Sequence, residues 1–268
     1  MTLTRSVRRV LALVVAVCGC ATLATLGSAA PPTHAQSLRH QIPIVAGTAL
    51  GLPGARQCTV GAVLKSRTWS SLATPFRQAT RYAVLAKHCA VVGRQIRVIR
   101  EVVGTVTWAS PTYDVALATI PPSTVQRPIC AGASQLHHCT IPAATPRAVG
   151  KIIITNFSEP EAVPISGIGS PSPDEHFCTS GSVSFVNCGF VPAGVPPEGW
   201  STGELAARTT NGRNVIMGDS GGPVMSVGGT LYGIIAMGGF PGYRDMMGYL
   251  PIETIFRDLG YEYQLAPA

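Results

Sequence analysis

Glycine and proline interrupt this 268-residue chain so often, 29 and 22 times, that little of it can run as long helix. Proline removes an amide donor and glycine costs backbone entropy, so both end helices and mark turns. The apolar runs between them are rich in Val, Ile and Thr, whose branched side chains suit a pleated surface. The sequence therefore predicts an all-β fold of short strands joined by turns. Apolar residues make up 46% of the chain and charged ones 12%, which excludes a charge-rich, unfolded polypeptide.

The first 35 residues stand apart. Arg5, Arg8 and Arg9 precede an apolar stretch from Val10 to Leu26, and Thr33-His34-Ala35 offers a small-x-small site before Gln36. That layout reads as a secretory signal peptide over residues 1–35. A membrane anchor is the competing reading, for which the stretch is only marginally long. Cys20, after Val17-Cys18-Gly19, gives a weaker lipoprotein alternative, and Arg8-Arg9 a twin-arginine one. Three of the 20 basic residues and none of the 13 acidic ones lie in this segment, so the remainder carries +4. That is mildly basic, with no Lys/Arg run of the kind that binds nucleic acid. No later stretch approaches the length of a membrane span, so the mature form is expected to be soluble.

Residues 36–54 form a short N-terminal segment, too short for a folding prodomain. Strands are expected at 58–64, 81–86, 95–103 and 115–120, the last stopped by Pro121-Pro122. They make a first half over 55–125. Residues 126–148 carry turn residues and little periodicity, and read as a connector. The second half, 149–268, resumes with a strand at 149–155 and continues through a hairpin at 178–188, a strand at 215–217 and another at 231–237. Ile252, Ile255, Phe256 and Leu259 recur at helical spacing with Gly260 as a stop, predicting a short C-terminal helix.

Six cysteines follow the signal segment: Cys58, Cys89, Cys130, Cys139, Cys178 and Cys188. An even number in an exported chain points to disulfides. Fifteen pairings are possible in principle. Cys130 with Cys139, and Cys178 with Cys188, each span a plausible hairpin, which leaves Cys58 with Cys89. His137-His138-Cys139 and His176-Phe177-Cys178 suggest metal ligands, but adjacent residues on an extended chain face opposite ways. No repeated ligand spacing supports a metal either. None is expected.

The sharpest local signal is Gly218-Asp219-Ser220-Gly221-Gly222-Pro223. Serine is a poor nucleophile at neutral pH, so a catalytic one needs a base and an anion trap. Flanking glycines permit a tight turn and leave amides open to a bound carbonyl oxygen. The amides of Gly218 and Ser220 are the candidate oxyanion hole. Read alone, the segment is equally a glycine-rich turn. Of the histidines, His88 alone ends an expected buried strand and precedes a half-cystine. Asp114 leads into the apolar run Val115-Ala116-Leu117, where a part-buried carboxylate needs donors. A histidine Nδ1–H is such a donor, and the pairing leaves Nε2 free to accept a serine proton.

Together these segments resemble the chymotrypsin-like serine proteases. The resemblance rests on Ala86-Lys87-His88-Cys89, Asp114-Val115-Ala116-Leu117 and Gly218 through Pro223, in the family's His, Asp, Ser order, and runs from about Ile44 to about Leu259. It implies two six-stranded antiparallel β-barrels with the active site between them. His88, Asp114 and Ser220 would then form the triad of a secreted, cofactor-free serine endopeptidase, a monomer acting on polypeptides. The Cys58–Cys89 pair is similar to the bridge that braces the family's catalytic histidine. Phe177-Cys178-Thr179-Ser180-Gly181 with Asn187-Cys188-Gly189 resembles a hairpin of the bacterial secreted branch, the streptogrisins and alpha-lytic protease. Residues 233–238 resemble the strand lining the primary specificity pocket, whose Gly238 pairs with substrate backbone.

Departures from the family pattern are as informative. Ala236 stands where relatives carry a serine bonded to the catalytic aspartate, and Met237 replaces an aromatic residue. Ile44-Val45-Ala46-Gly47 echoes the terminus that animal members free and tuck against the acid before the serine, but Pro43 precedes it. Bacterial members pair that acid with an arginine after the hairpin cysteine, where this chain has Thr179. Asp219 is thus left without an evident partner. By direct count Asn214 falls near the pocket floor, and Asp245 is a candidate for the opposite wall, where it would select Arg or Lys. A small or mid-sized apolar first residue is the other expectation. The rival function is a catalytically weak or inactive protease-like binding protein. An α/β-hydrolase esterase fails on triad order.

Overall fold

The computed structural model describes residues 34–52, 56–125, 129–130, 139–156, 159–196, 198–239 and 242–268. The expected signal segment, with Cys18 and Cys20, lies outside them, apart from residues 34 and 35. Residues 32–268 form one compact unit.

The fold is all-β with short helices. The second half closes on itself. Strands Thr230–Met237, Pro223–Met225, Phe177–Gly181, Phe185–Ala193, Leu205–Thr209 and Met246–Pro251 pair in that order, and the last pairs back with the first. This ring is the expected six-stranded antiparallel barrel. The first half is a half-barrel: Ala62–Ser66, Arg81–Leu85, Ala116–Ile120, Glu101–Ala109, Gln95–Val98 and Ala49–Leu52 pair successively, and among the described residues no pairing closes the ring. Tyr263–Leu265, from the far end of the chain, adds to one edge and Arg56–Thr59 to the other. A third, small sheet joins Ile44–Ala46 parallel to Ala148–Asn156.

Three apolar clusters hold these parts. One fills the first half around Leu50, Leu85, Ile96 and Ile120; a second fills the barrel, where Phe177 and Phe190 stack with centroids 6.3 Å apart. The third lies between the halves: Leu64, Val84 and Leu117 from one side meet Ile152, Leu231, Ile234 and Leu250 from the other. The C-terminal helix, Ile252–Asp258, buries Ile252, Ile255 and Phe256 here, as its spacing predicts. This central cluster fixes the two halves relative to each other, and the cleft above it inherits that rigidity.

Local differences from expectation have plain causes. The strand expected at 95–103 is two strands joined by a turn in which Ile99 takes φ 55°. Residues 215–217 are a loop, because Ile216 and Met217 are 53% and 92% exposed and make no ladder. The helix Pro75–Ala79 was not expected, yet its start is legible: Thr74 accepts the Arg77 amide at 3.2 Å and proline takes the first turn. The connector holds one short strand pair, in which the Cys130 and Cys139 backbones are partners; their side chains lie outside the description.

Candidate active site

His88 comes from the end of the buried strand Arg81–Leu85. The chain leaves the sheet at Ala86 and turns through Lys87–Cys89, where Cys89 is bonded to Cys58 across a sequence separation of 31. Closing a loop of that length stabilises by roughly 3–4 kcal/mol in the chain-entropy picture, and here it also ties the His88 backbone to the neighbouring strand. Asp114 is presented by a turn that Ser110 organises: its buried hydroxyl accepts the amides of Thr112 at 3.1 Å and Tyr113 at 2.9 Å. Asp114 Oδ1 then accepts the His88 amide at 2.8 Å, while Oδ2 lies 2.7 Å from His88 Nδ1. A carboxylate only accepts, so Nδ1 donates. The His88 side chain is 43% exposed and that of Asp114 is 16% exposed, and both line the cleft.

The Ser220 loop hangs from the barrel wall. Gly221 donates to Ile235 O at 2.7 Å, Ile235 donates back to Gly222 O at 2.8 Å, and Asp219 donates to Ile216 O at 3.0 Å. Gly218 and Gly221 take φ of 103° and 82°, which glycine adopts freely and other residues do not. Across the cleft Thr59, fully buried, clamps the loop: its amide donates to Ser220 O and its hydroxyl to Gly218 O, both at 2.9 Å. Gly221 packs so closely on the histidine's strand that an added methyl would lie 2.9 Å from Ala86 N. These contacts bring Ser220 to the strand end that carries His88. Among the described residues the amides of Gly218 and Ser220 have no protein acceptor, whereas those of Asp219, Gly221 and Gly222 do.

Asp219 is 0% exposed. Its Oδ1 accepts the amides of Val183 at 2.9 Å and Ser184 at 3.0 Å, from the turn of the 177–193 hairpin, and Oδ2 accepts Ile216 N at 2.9 Å. The Cys178–Cys188 disulfide braces that hairpin. The sequence supplied no charge to oppose Asp219. The structure brings one, Arg39, from the segment ahead of the first strand. Arg39 is 1% exposed and donates to Gly47 O at 2.7 Å, Ser180 O at 3.4 Å and Ser180 Oγ at 3.0 Å. Burial pulls its pKa down to about 10, and the attraction of Asp219 opposes that pull.

The trypsin family model matches residues 51–252. The chain belongs to that family. It is a serine-type endopeptidase by membership. Solved structures agree on the fold: Thermobifida fusca protease A is 17% identical, with 84% of this chain and 99% of that one covered and a TM-score of 0.54. Cellulomonas bogoriensis chymotrypsin is 18% identical over 84% and 99%, also at 0.54, and Nocardiopsis protease 17% identical over 83% and 98% at 0.54. No curated protein matches this trypsin-family chain in sequence.

Ala236 and Met237 line an open cavity of about 480 Å³ together with His88, Tyr113 and Asp114. Gly238 lies against the 214–217 loop, where an added methyl would sit 2.7 Å from Val215 O. Asn214 Nδ2 donates to Arg244 O at 2.9 Å and Met246 O at 2.8 Å, so its amide ties the 214–217 loop to the 244–246 segment. Asp245 is exposed and paired with Arg208 at 3.1 Å, and an acid so engaged is less ready to select a basic substrate residue. His137 and His138 lie outside the described residues. Among the described ones no group of three or more His, Cys, Asp or Glu side chains gathers to hold a metal.

Sequence reasoning missed one acid here. Glu204, 6% exposed, lines the cavity beside His88 and Asp114. Burial pushes its carboxyl up, the Ser201 amide at 3.3 Å opposes, and the negative Asp114 adds to the rise. Gly203, at φ 80°, packs under the Tyr113 ring and so brings the Glu204 segment against the Asp114 turn. No motif signals this, because the two segments are distant in the chain.

Proposed function

We propose that this endopeptidase works by acyl transfer from Ser220. The doubly bonded His88–Asp114 pair carries the reading: with Nδ1–H given to Asp114, Nε2 keeps its lone pair for a serine proton. His88 takes that proton as Ser220 Oγ forms a bond to the peptide carbonyl carbon and the carbonyl electrons move to oxygen. The amides of Gly218 and Ser220 meet the oxyanion; one such donor is worth ~3 kcal/mol in the transition state. The imidazolium then protonates the leaving nitrogen as the C–N bond breaks, leaving an acyl-enzyme. Water, deprotonated by His88, repeats the attack and frees Ser220. Asp114 stabilises the imidazolium without taking the proton.

Contact between Val215 and Gly238 supports a shallow primary pocket, and hence a small first residue in the substrate. Disulfides and the basic-apolar start of the chain support export, with residues 1–35 removed and a monomer acting outside the cell. Among the described residues no helix is long and apolar enough to cross a membrane.

The test is hydrolysis of an unfolded polypeptide by the secreted protein beside its Ser220→Ala variant, with and without a chelator. Cleavage that depends on Ser220 and survives chelation is expected. Cleavage that persists in the variant contradicts the reading.

A further inference from the structure

We propose that Arg39 is the positioning residue of the Ser220 loop, and that residues 36–43 are a working part of the enzyme rather than a segment removed to activate it. This rests on Ser220 being the nucleophile.

The Asp219 carboxylate, at 0% exposure and next to the nucleophile, is costly unless opposite charge compensates it. Its three amide donors supply partial charges only. Two sources of a full charge suggest themselves from the sequence, and neither serves. Thr179 sits where a hairpin arginine would be needed. Ile44 does not serve, because its nitrogen donates to Arg147 O at 2.9 Å within a buried strand rather than to Asp219.

Arg39 fills the gap. Its guanidinium is buried among groups that belong to the Asp219 site: Ser180, one residue before the glycine that touches Asp219, and Phe185, whose ring lies 5.5 Å below the guanidinium carbon. Phe185 takes φ 62°, an unfavourable conformation that the stacking helps to hold. Cation and anion thus grip the same hairpin turn from two sides, the cation at Ser180 and Phe185, the anion at Val183 and Ser184. Gly47 admits the arrangement: at φ 98° it offers its carbonyl, and an added methyl there would lie 3.0 Å from Arg39 Nη1. A guanidinium titrating near pH 10 stays charged throughout the neutral range. Without it, Asp219 loses the opposing charge that Arg39 supplies, and the turn beside the Gly218 and Ser220 amides loses an anchor. Cleavage before Gln36 leaves Arg39 in the mature chain; a cut between Arg39 and Ile44 releases it.

The experiment measures the second-order rate of fluorophosphonate labelling at Ser220 for the whole secreted protein and for Arg39→Met, Arg39→Lys, Asp219→Asn and the Arg39→Met/Asp219→Asn double variant, with circular dichroism on each. Arg39→Met should label at least 100-fold more slowly than wild type while keeping its β spectrum. Arg39→Lys, or millimolar guanidinium added to Arg39→Met, should recover at least tenfold. The double variant should label no more slowly than the slower single one. If Arg39→Met does not fold, the Arg39→Lys variant decides: labelling within about tenfold of wild type supports a charge role, and a folded but unlabelled Arg39→Lys overturns it. Labelling of folded Arg39→Met within twofold of wild type also overturns the proposal, as does a loss that neither lysine nor guanidinium relieves. N-terminal sequencing of the labelled wild type should begin at or before Arg39. A wild type that never labels refutes the nucleophile itself, a distinct outcome.

Discussion

Asp114 holds His88 at two points, the backbone amide at 2.8 Å and the ring Nδ1 at 2.7 Å, so one carboxylate fixes both the position of the histidine and its tautomer. By the family resemblance, Ala236 stands where a serine hydroxyl is expected behind the aspartate, and an alanine offers it no hydrogen bond. Asp114→Asn keeps the shape but offers Nδ1 an amide that favours the wrong tautomer. We expect kcat to fall by about 10⁴ with the melting temperature changed by only a few degrees, measured by peptide hydrolysis and calorimetry. A loss below tenfold contradicts the assigned role.

The hairpin under Asp219 tolerates no side chain at Gly181. A methyl group there would overlap the Asp219 carboxylate, whereas one at Gly167 meets nothing within 4 Å. Gly181→Ala should therefore lower kcat at least 100-fold and Gly167→Ala should leave it within twofold, with both proteins secreted and oxidised. Equal activity of the two variants would show that Asp219 does not govern the Ser220 loop.

Glu204 predicts a pH dependence of stability. Its folded-state pKa lies above the ordinary 4.5, with burial as the main cause, so between those two values the folded protein binds more protons than the unfolded one. Stability contributed by the neutral form is present in acid and is lost as pH rises through the folded pKa. Glu204→Gln stays neutral throughout. Its denaturant midpoint should match wild type in acid and exceed it at neutral pH, and a constant difference across the range contradicts this.

Contact between Val215 and Gly238, and the engagement of Asp245 by Arg208, bear on specificity. A library of peptide substrates should give the highest kcat/KM for Gly, Ala or Ser before the scissile bond, at least tenfold above Phe, Arg or Lys. A preference for arginine would return Asp245 to the pocket.

Much of this was legible because it is local. Glycine and proline spacing announces strands; Ile252, Ile255 and Phe256 announce the helix that buries them. His88, Asp114 and Ser220 each sit in a short motif whose residue types follow from the chemistry. What stayed hidden depends on contacts between segments far apart in the chain. Thr59 clamps Gly218 across 159 residues, and Arg39 reaches Ser180 across 141. Neither threonine nor arginine looks unusual in its own stretch of sequence. Residues 215–217 misled because an apolar triplet fits a strand as well as an exposed loop, and only exposure separates them.

If Ser220 is an activated nucleophile, intact mass and peptide mapping after fluorophosphonate treatment will register it. A single adduct on the peptide carrying Ser220, absent from Ser220→Ala and from denatured protein, is the predicted result. An unmodified wild type, or an adduct on another residue, would contradict it.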